Sequence, residues 1–173
     1  AHVPLHTTEN YNGQFTDQYG IHGFWESRLP ELYNDDYDFF VGSAKYVKEP
    51  LDYTWNFIEQ SHNALDSVLR FEKELTEKFP EDKKYTFEER GRVVVETYSQ
   101  EFSNAYHNRL NGQVERRMRS SVIDIGSFWY TAWVNAGQPD LNKLESDQEE
   151  LKEEIAKELE ESRKKKVKAR EHE

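Results

Sequence analysis

Three histidines and one glutamate near the N-terminus carry the clearest chemical signal in the chain. His2, His6 and His22 are half of its 6 histidines, and Glu26 follows His22 by four residues. On a helix, residues four apart lie on one face, one turn from each other. A histidine and a carboxylate so placed can bind one cation together, with His6 reaching it from the preceding loop. Two histidines and one carboxylate with an open fourth position are a ligand set of catalytic zinc. Surface histidines satisfy the same spacing with no metal, and spacing alone does not choose between these readings.

Three stretches point further. "AHVPLH" at residues 1–6 resembles the end of the pattern H-x-x-x-D-x-H-x-P-L-H. That pattern marks the superfamily of zinc-dependent bacterial phospholipase C and the zinc-dependent single-strand nucleases. "GIHGFWE" at 20–26 resembles the second ligand helix of that superfamily, in which a His is followed four residues on by Asp or Glu. "AWVNAGQPDL" at 132–141 resembles the end of its last core helix. By this resemblance His6, His22 and Glu26 are the ligands of one zinc ion, and His2 matches a motif histidine that is not generally a ligand. Glu at position 26 is similar to the phospholipases, whereas the nucleases usually carry Asp. A single difference of that kind leaves phospholipid and single-stranded nucleic acid both open as the phosphodiester substrate.

The resemblance also implies a three-zinc cluster. Its remaining ligands, among them an N-terminal Trp and the first His and the Asp of the motif, would fall before Ala1. The expectation is therefore the C-terminal part of a larger enzyme, partnered by an N-terminal segment and nearly inactive alone. By resemblance only, the compartment is secreted, periplasmic or cell-surface.

Composition sets bounds on these readings. A chain of 173 residues with 35% hydrophobic and 33% charged residues has one thin core and a well-solvated surface. Aromatics reach 14%, so Trp, Tyr and Phe must build much of that core. The net charge of −11 disfavours broad binding to nucleic-acid phosphate or to an anionic membrane. It leaves room for a phosphodiester held locally by metal. With no cysteine, disulfides and thiolate metal sites are excluded. The weakly polar run from Val122 to Ala136 contains Asp124 and is too short to span a bilayer, which takes roughly 20 apolar residues.

The elements that must position the ligands read as helices. Residues 7–21 are polar with Gly13 and Gly20, a loop joining the two ligand segments. A short helix starts near His22 and meets Pro30. After Pro50 a long helix is expected, with Leu51, Trp55, Ile58, His62, Leu65 and Leu69 on one inward stripe. His62 on that stripe reads as a core histidine. Thr86 and Glu89 have capping-box spacing and predict a helix whose stripe runs Gly91, Val94, Val95, Tyr98, Phe102, Ala105, Tyr106, with His107 at its edge. Asn111-Gly112 breaks the chain, and a last helix carries Val114, Met118, Val122, Ile125, Trp129 and Trp133.

Three weaker signals remain. Asp35, Asp36 and Asp38 lack the glycine and glutamate of a calcium loop and read as a solvated turn. Arg116, Arg117 and Arg119 could hold a substrate phosphate, but pairing with carboxylates suits them better. From Glu145 the chain becomes densely charged. Ser146 with Glu149 and the seam Leu151, Ile155, Leu159 predict a charged C-terminal helix over 142–173. A role for it in docking or self-association is the alternative to catalysis: a non-catalytic helical module. The expected fold is thus all-α, a multi-helix bundle over residues 1–141 with a metal site between helices and loop, followed by that charged helix.

Overall fold

The computed structural model describes residues 2–141 and 155–157. The chain divides into two compact units, Ala1–Asn135 and Ala136–Glu173. Its described residues are mostly helical, with one two-stranded antiparallel sheet that an all-α reading does not include. No helix among them is long and apolar enough to cross a membrane.

In the first unit a 3-10 turn, Pro4–Thr7, opens the chain. After a loop, one continuous helical segment follows: α1 (Ile21–Gly23), a π-helical turn (Phe24–Arg28) and α2 (Leu29–Tyr33). Pro30 does not end it: Arg28 and Leu29 before it keep helical backbone angles, and the turn that precedes it is π-helical. Then come α3 (Pro50–Asn63), α4 (Leu65–Thr76), the strands β1 (Tyr85–Arg90) and β2 (Val93–Tyr98), α5 (Gln100–Leu110) and α6 (Gln113–Asn135).

The core is aromatic, as the composition implies. Phe24 stacks on Tyr98 at 3.8 Å and on Tyr106 at 4.9 Å between ring centroids. Leu5, Ile21, Leu29, Val68, Phe102 and Val114 close around them. Glu72 is buried with them at 1% exposure, and a charge there needs partners. It receives Lys84 Nζ at 3.0 Å, Thr76 Oγ1 at 2.8 Å and Gln18 Nε2 at 2.5 Å.

Three sequence expectations are corrected. The helix predicted from Thr86 is a hairpin, with Arg90 paired to Val93 across Gly91-Arg92. Gly91 sits at φ +66°, the conformation a tight hairpin turn needs, and Val93 to Val95 with Thr97 and Tyr98 favour a strand. The true helix start is Ser99, whose side chain accepts from the backbone N–H of Phe102. Second, the long helix after Pro50 breaks at Ala64 into α3 and α4. Its inward residues are Phe57 and Ser61, while Leu51 and Trp55 are 69% and 60% exposed.

Third, α6 turns only the later part of its apolar stripe outward, since Val114 is buried and Met118 packs against the core as expected. Val122, Ile125 and Trp129 are exposed, and Arg117, Asp124, Ser127 and Thr131 are buried. The buried polar face has a reason. Residues 39–49 are non-helical and bring unpaired backbone donors against α6. Lys45 N–H donates to Ser127 Oγ at 3.1 Å and Val47 N–H to Thr131 Oγ1 at 2.8 Å.

In the second unit, residues 136 and 137 form a turn with Gly137 at φ +84°, and residues 155–157 are helical. The Ser146–Glu149 cap, Leu151 and Leu159 lie outside the described residues.

Candidate metal centre

His6 stands on the Pro4–Thr7 turn. The neighbouring Leu5 is fully buried in the core, so the turn cannot swing. His6 N–H donates to Val3 O at 3.1 Å, and Thr7 Oγ1 donates to Pro4 O at 2.7 Å. Thr7 Oγ1 also lies 3.2 Å from His62 Nδ1. His62 is therefore an exposed support of this turn and not a core histidine.

His22 and Glu26 come from the continuous helical segment. Gly20, at φ +88°, lets the chain turn into it. Ile21, Phe24, Trp25 and Leu29 face the core, which leaves residues 22 and 26 on the outer side. The π-helical turn spans Phe24–Arg28, so Glu26 projects from a stretch of widened backbone; such turns recur at functional sites.

The three side chains converge. His6 Nε2 and His22 Nε2 are 2.9 Å apart, His22 Nε2 and Glu26 Oε2 2.7 Å, and His6 Nε2 and Glu26 Oε2 3.4 Å. The imidazole rings meet edge to face at 87°, and Tyr11 sets its ring edge-on to His22. His6 and Glu26 are near 40% exposed, so the site opens to solvent.

The donor set fits a cation better than it fits protons. Each Nε2–carboxylate contact needs a proton on that nitrogen, whereas the Nε2–Nε2 contact needs one nitrogen bare. With Glu26 ionised, no placement of protons turns all three contacts into hydrogen bonds. A cation accepts all three lone pairs together. Tetrahedral zinc with bonds of about 2.0–2.1 Å would set its ligands roughly 3.3 Å apart; the His6–Glu26 pair at 3.4 Å has that spacing, and the two contacts of His22, at 2.9 and 2.7 Å, are shorter. Among the described residues this is the one group of three or more His, Asp or Glu side chains so gathered.

The aspartates at 35, 36 and 38 are not gathered: Asp38 pairs with Arg119 at 2.9 Å. The arginines likewise form no phosphate site. Arg119 is held by Asp38, and Arg116 donates to Asn111 O.

Arg117 has a role the sequence did not reveal. It is buried and donates to His2 O at 3.2 Å, Phe57 O at 3.2 Å and Ser61 Oγ at 2.8 Å. Its Nη2 also meets His2 Nδ1 at 3.1 Å. An arginine only donates, so His2 Nδ1 is bare and the proton is on Nε2, which faces Asp124 at 3.3 Å. Desolvation, then Arg117, lowers the pKa of His2 and favours this neutral tautomer, against the opposing pull of Asp124. The segment that carries His6 is thus pinned to α3 and α6. His107, at the far side of α5, accepts or donates to Tyr37 OH at 3.0 Å and stacks on Tyr33, away from the triad.

No protein-family model, curated protein or solved structure matches the chain. The functional reading therefore rests on the triad's geometry and on the motifs' resemblance.

Proposed function

We propose that His6, His22 and Glu26 hold one zinc ion, and that the chain forms part of a zinc-dependent phosphodiester hydrolase of the phospholipase C or single-strand nuclease type. The convergence of three ligand atoms from two segments 16 residues apart carries the reading. The resemblance of "AHVPLH" and "GIHGFWE" supports it independently, because it selects the same three residues.

Under this reading, the buried Leu5 and the Arg117–His2 contacts hold His6 in place, and the core contacts of Phe24 and Trp25 hold His22 and Glu26. A bound zinc ion supplies Lewis acidity toward a phosphoryl oxygen and toward a water nucleophile. The open face of the triad admits the substrate. A cavity of about 250 Å³ beside Glu26, walled largely by Val3, Trp25, Val114 and Met118, gives the non-reacting part of the substrate an apolar surface.

The test is calorimetric titration with zinc at neutral pH. The chain is expected to bind with n near one, and His6→Ala, His22→Ala and Glu26→Ala each weaken binding about 100-fold or more. Binding that survives all three substitutions would place the metal elsewhere.

A further inference from the structure

The helical ladder is interrupted where it carries Glu26. In an α-helix each carbonyl accepts from the N–H four residues on. Here the Leu29 N–H donates to Phe24 O, five residues back, and so does not serve Trp25 O. The donor for Glu26 O would come from position 30, which is proline and has no N–H. Two successive carbonyls, of Trp25 and Glu26, thus lack the donor a regular helix would give them.

Side chains hold this stretch instead. On one side of Glu26, Trp25 is buried and its indole N–H donates to Gln113 Oε1 at 3.1 Å. On the other, Arg28 Nε donates to Tyr98 O at 3.2 Å. Gln113 opens α6 and is buried as well. Its Nε2 donates to Ser67 Oγ at 2.7 Å and lies 3.4 Å from Ala64 O, and Ser67 Oγ donates to Ala64 O at 2.7 Å. Chemistry fixes the direction of each bond. An indole nitrogen only donates and a carbonyl only accepts, so Gln113 must turn its oxygen to Trp25 and its nitrogen to the α3–α4 junction. The bonds run one way, from Trp25 through Gln113 and Ser67 to Ala64, and such a chain strengthens its members.

We propose that Gln113 is a positioning residue for the metal site: through the Trp25 indole it fixes the π-helical turn against the α3–α4 junction, and so holds the Glu26 carboxylate on His22. It touches neither metal nor substrate. This role rests on the zinc reading of the triad. Without the Gln113 oxygen, the buried indole N–H has no acceptor and Trp25 re-seats. Glu26, its neighbour on widened backbone, moves with it.

The experiment compares wild type with Gln113→Met, which keeps the length of the side chain and removes both ends of the connection. Zinc affinity, read by competition with a chelating dye at neutral pH, should fall about 10-fold. Ser67→Ala is milder, removes only the far end of the chain, and should weaken zinc about 3-fold. Tyr106→Phe is the control. It removes a buried hydrogen bond to Val68 O, 2.8 Å long, away from the π-helical turn. It should lower the melting temperature and leave zinc affinity unchanged. Cobalt(II) in place of zinc reports the geometry, because its visible absorption is strong when tetrahedral and weak when six-coordinate. That absorption should drop in Gln113→Met and persist in Tyr106→Phe. Without metal, the amides of Glu26, Ser27 and Arg28 should exchange faster in Gln113→Met and Ser67→Ala than in wild type. Circular dichroism checks that the variants fold.

Wild-type zinc affinity and an unchanged cobalt spectrum in folded Gln113→Met or Ser67→Ala would overturn this role and leave the zinc site standing. Equal loss of affinity in Tyr106→Phe would also overturn it, since lowered stability alone would then explain the effect. A wild type that binds no zinc would overturn both this role and the zinc reading.

Discussion

His2 Nε2 lies 3.3 Å from the Asp124 carboxylate, which ties the segment bearing His6 to the middle of α6. The other side of the same ring meets Arg117, and Arg117 reaches Ser61 and the Phe57 carbonyl on α3. One buried guanidinium therefore joins three segments remote in sequence. Arg117→Met keeps the volume and removes every donor, leaving the acceptors unpaired. It should destabilise the chain by about 3 kcal/mol in chemical denaturation. It should also weaken zinc binding about 10-fold, because the turn carrying His6 loses its anchor. Unchanged zinc affinity in a folded Arg117→Met chain would show that Leu5 and Thr7 suffice to place His6.

The hairpin makes a prediction about backbone. Gly91 at φ +66° has open space where a Cβ would go, so the cost of replacing it is conformational and not steric crowding. Gly91→Val should lower stability by about 1–2 kcal/mol, and Gly91→Asn by less, since Asn tolerates the left-handed region. Thermal melts of the two variants distinguish this turn from a helix, in which Val and Asn would both be favoured over Gly.

His107 gives the fold an acid sensitivity. Desolvation holds its pKa below the ordinary 6.5, against the opposing pull of Asp36 and Glu115. The unfolded chain thus binds a proton at a higher pH than the folded one. The stability associated with neutral His107 is complete above pH 6.5 and falls away as the pH drops below that value toward the folded pKa. His107→Gln should flatten this part of the melting temperature–pH curve between pH 7.5 and the acid side of the window. An identical slope in the variant would assign the loss to other groups.

Much of the candidate site is legible in the sequence, because its signals are local. His22 and Glu26 are four apart on a helix, and the "PLH" turn carries His6. What was not legible depended on tertiary context. Thr86 and Glu89 have the spacing of a capping box, yet Ser99 is the cap, because the valines after Gly91 pair across a turn. The stripes on α3 and α6 are truly amphipathic, but periodicity reports only that a face exists. It does not say that Ser127 and Thr131 would be drawn inward by the backbone donors of Lys45 and Val47. Arg117 and His2, 115 residues apart, show nothing in sequence of the bond between them.

Activity should be slight in this chain alone. The resemblance requires further metal ligands, and the described residues gather only the one triad. Hydrolysis of a generic phosphodiester should stay near background with zinc added, and His22→Ala should not change it. Clear turnover that disappears in His22→Ala would show that one metal site is enough.

The central claim is tested most directly by the zinc content of the chain purified without added metal, measured as atoms per chain for wild type and for His22→Ala. About one equivalent in the first and none in the second is the predicted result. Equal content in both, or none in either, would contradict a zinc site at His6, His22 and Glu26.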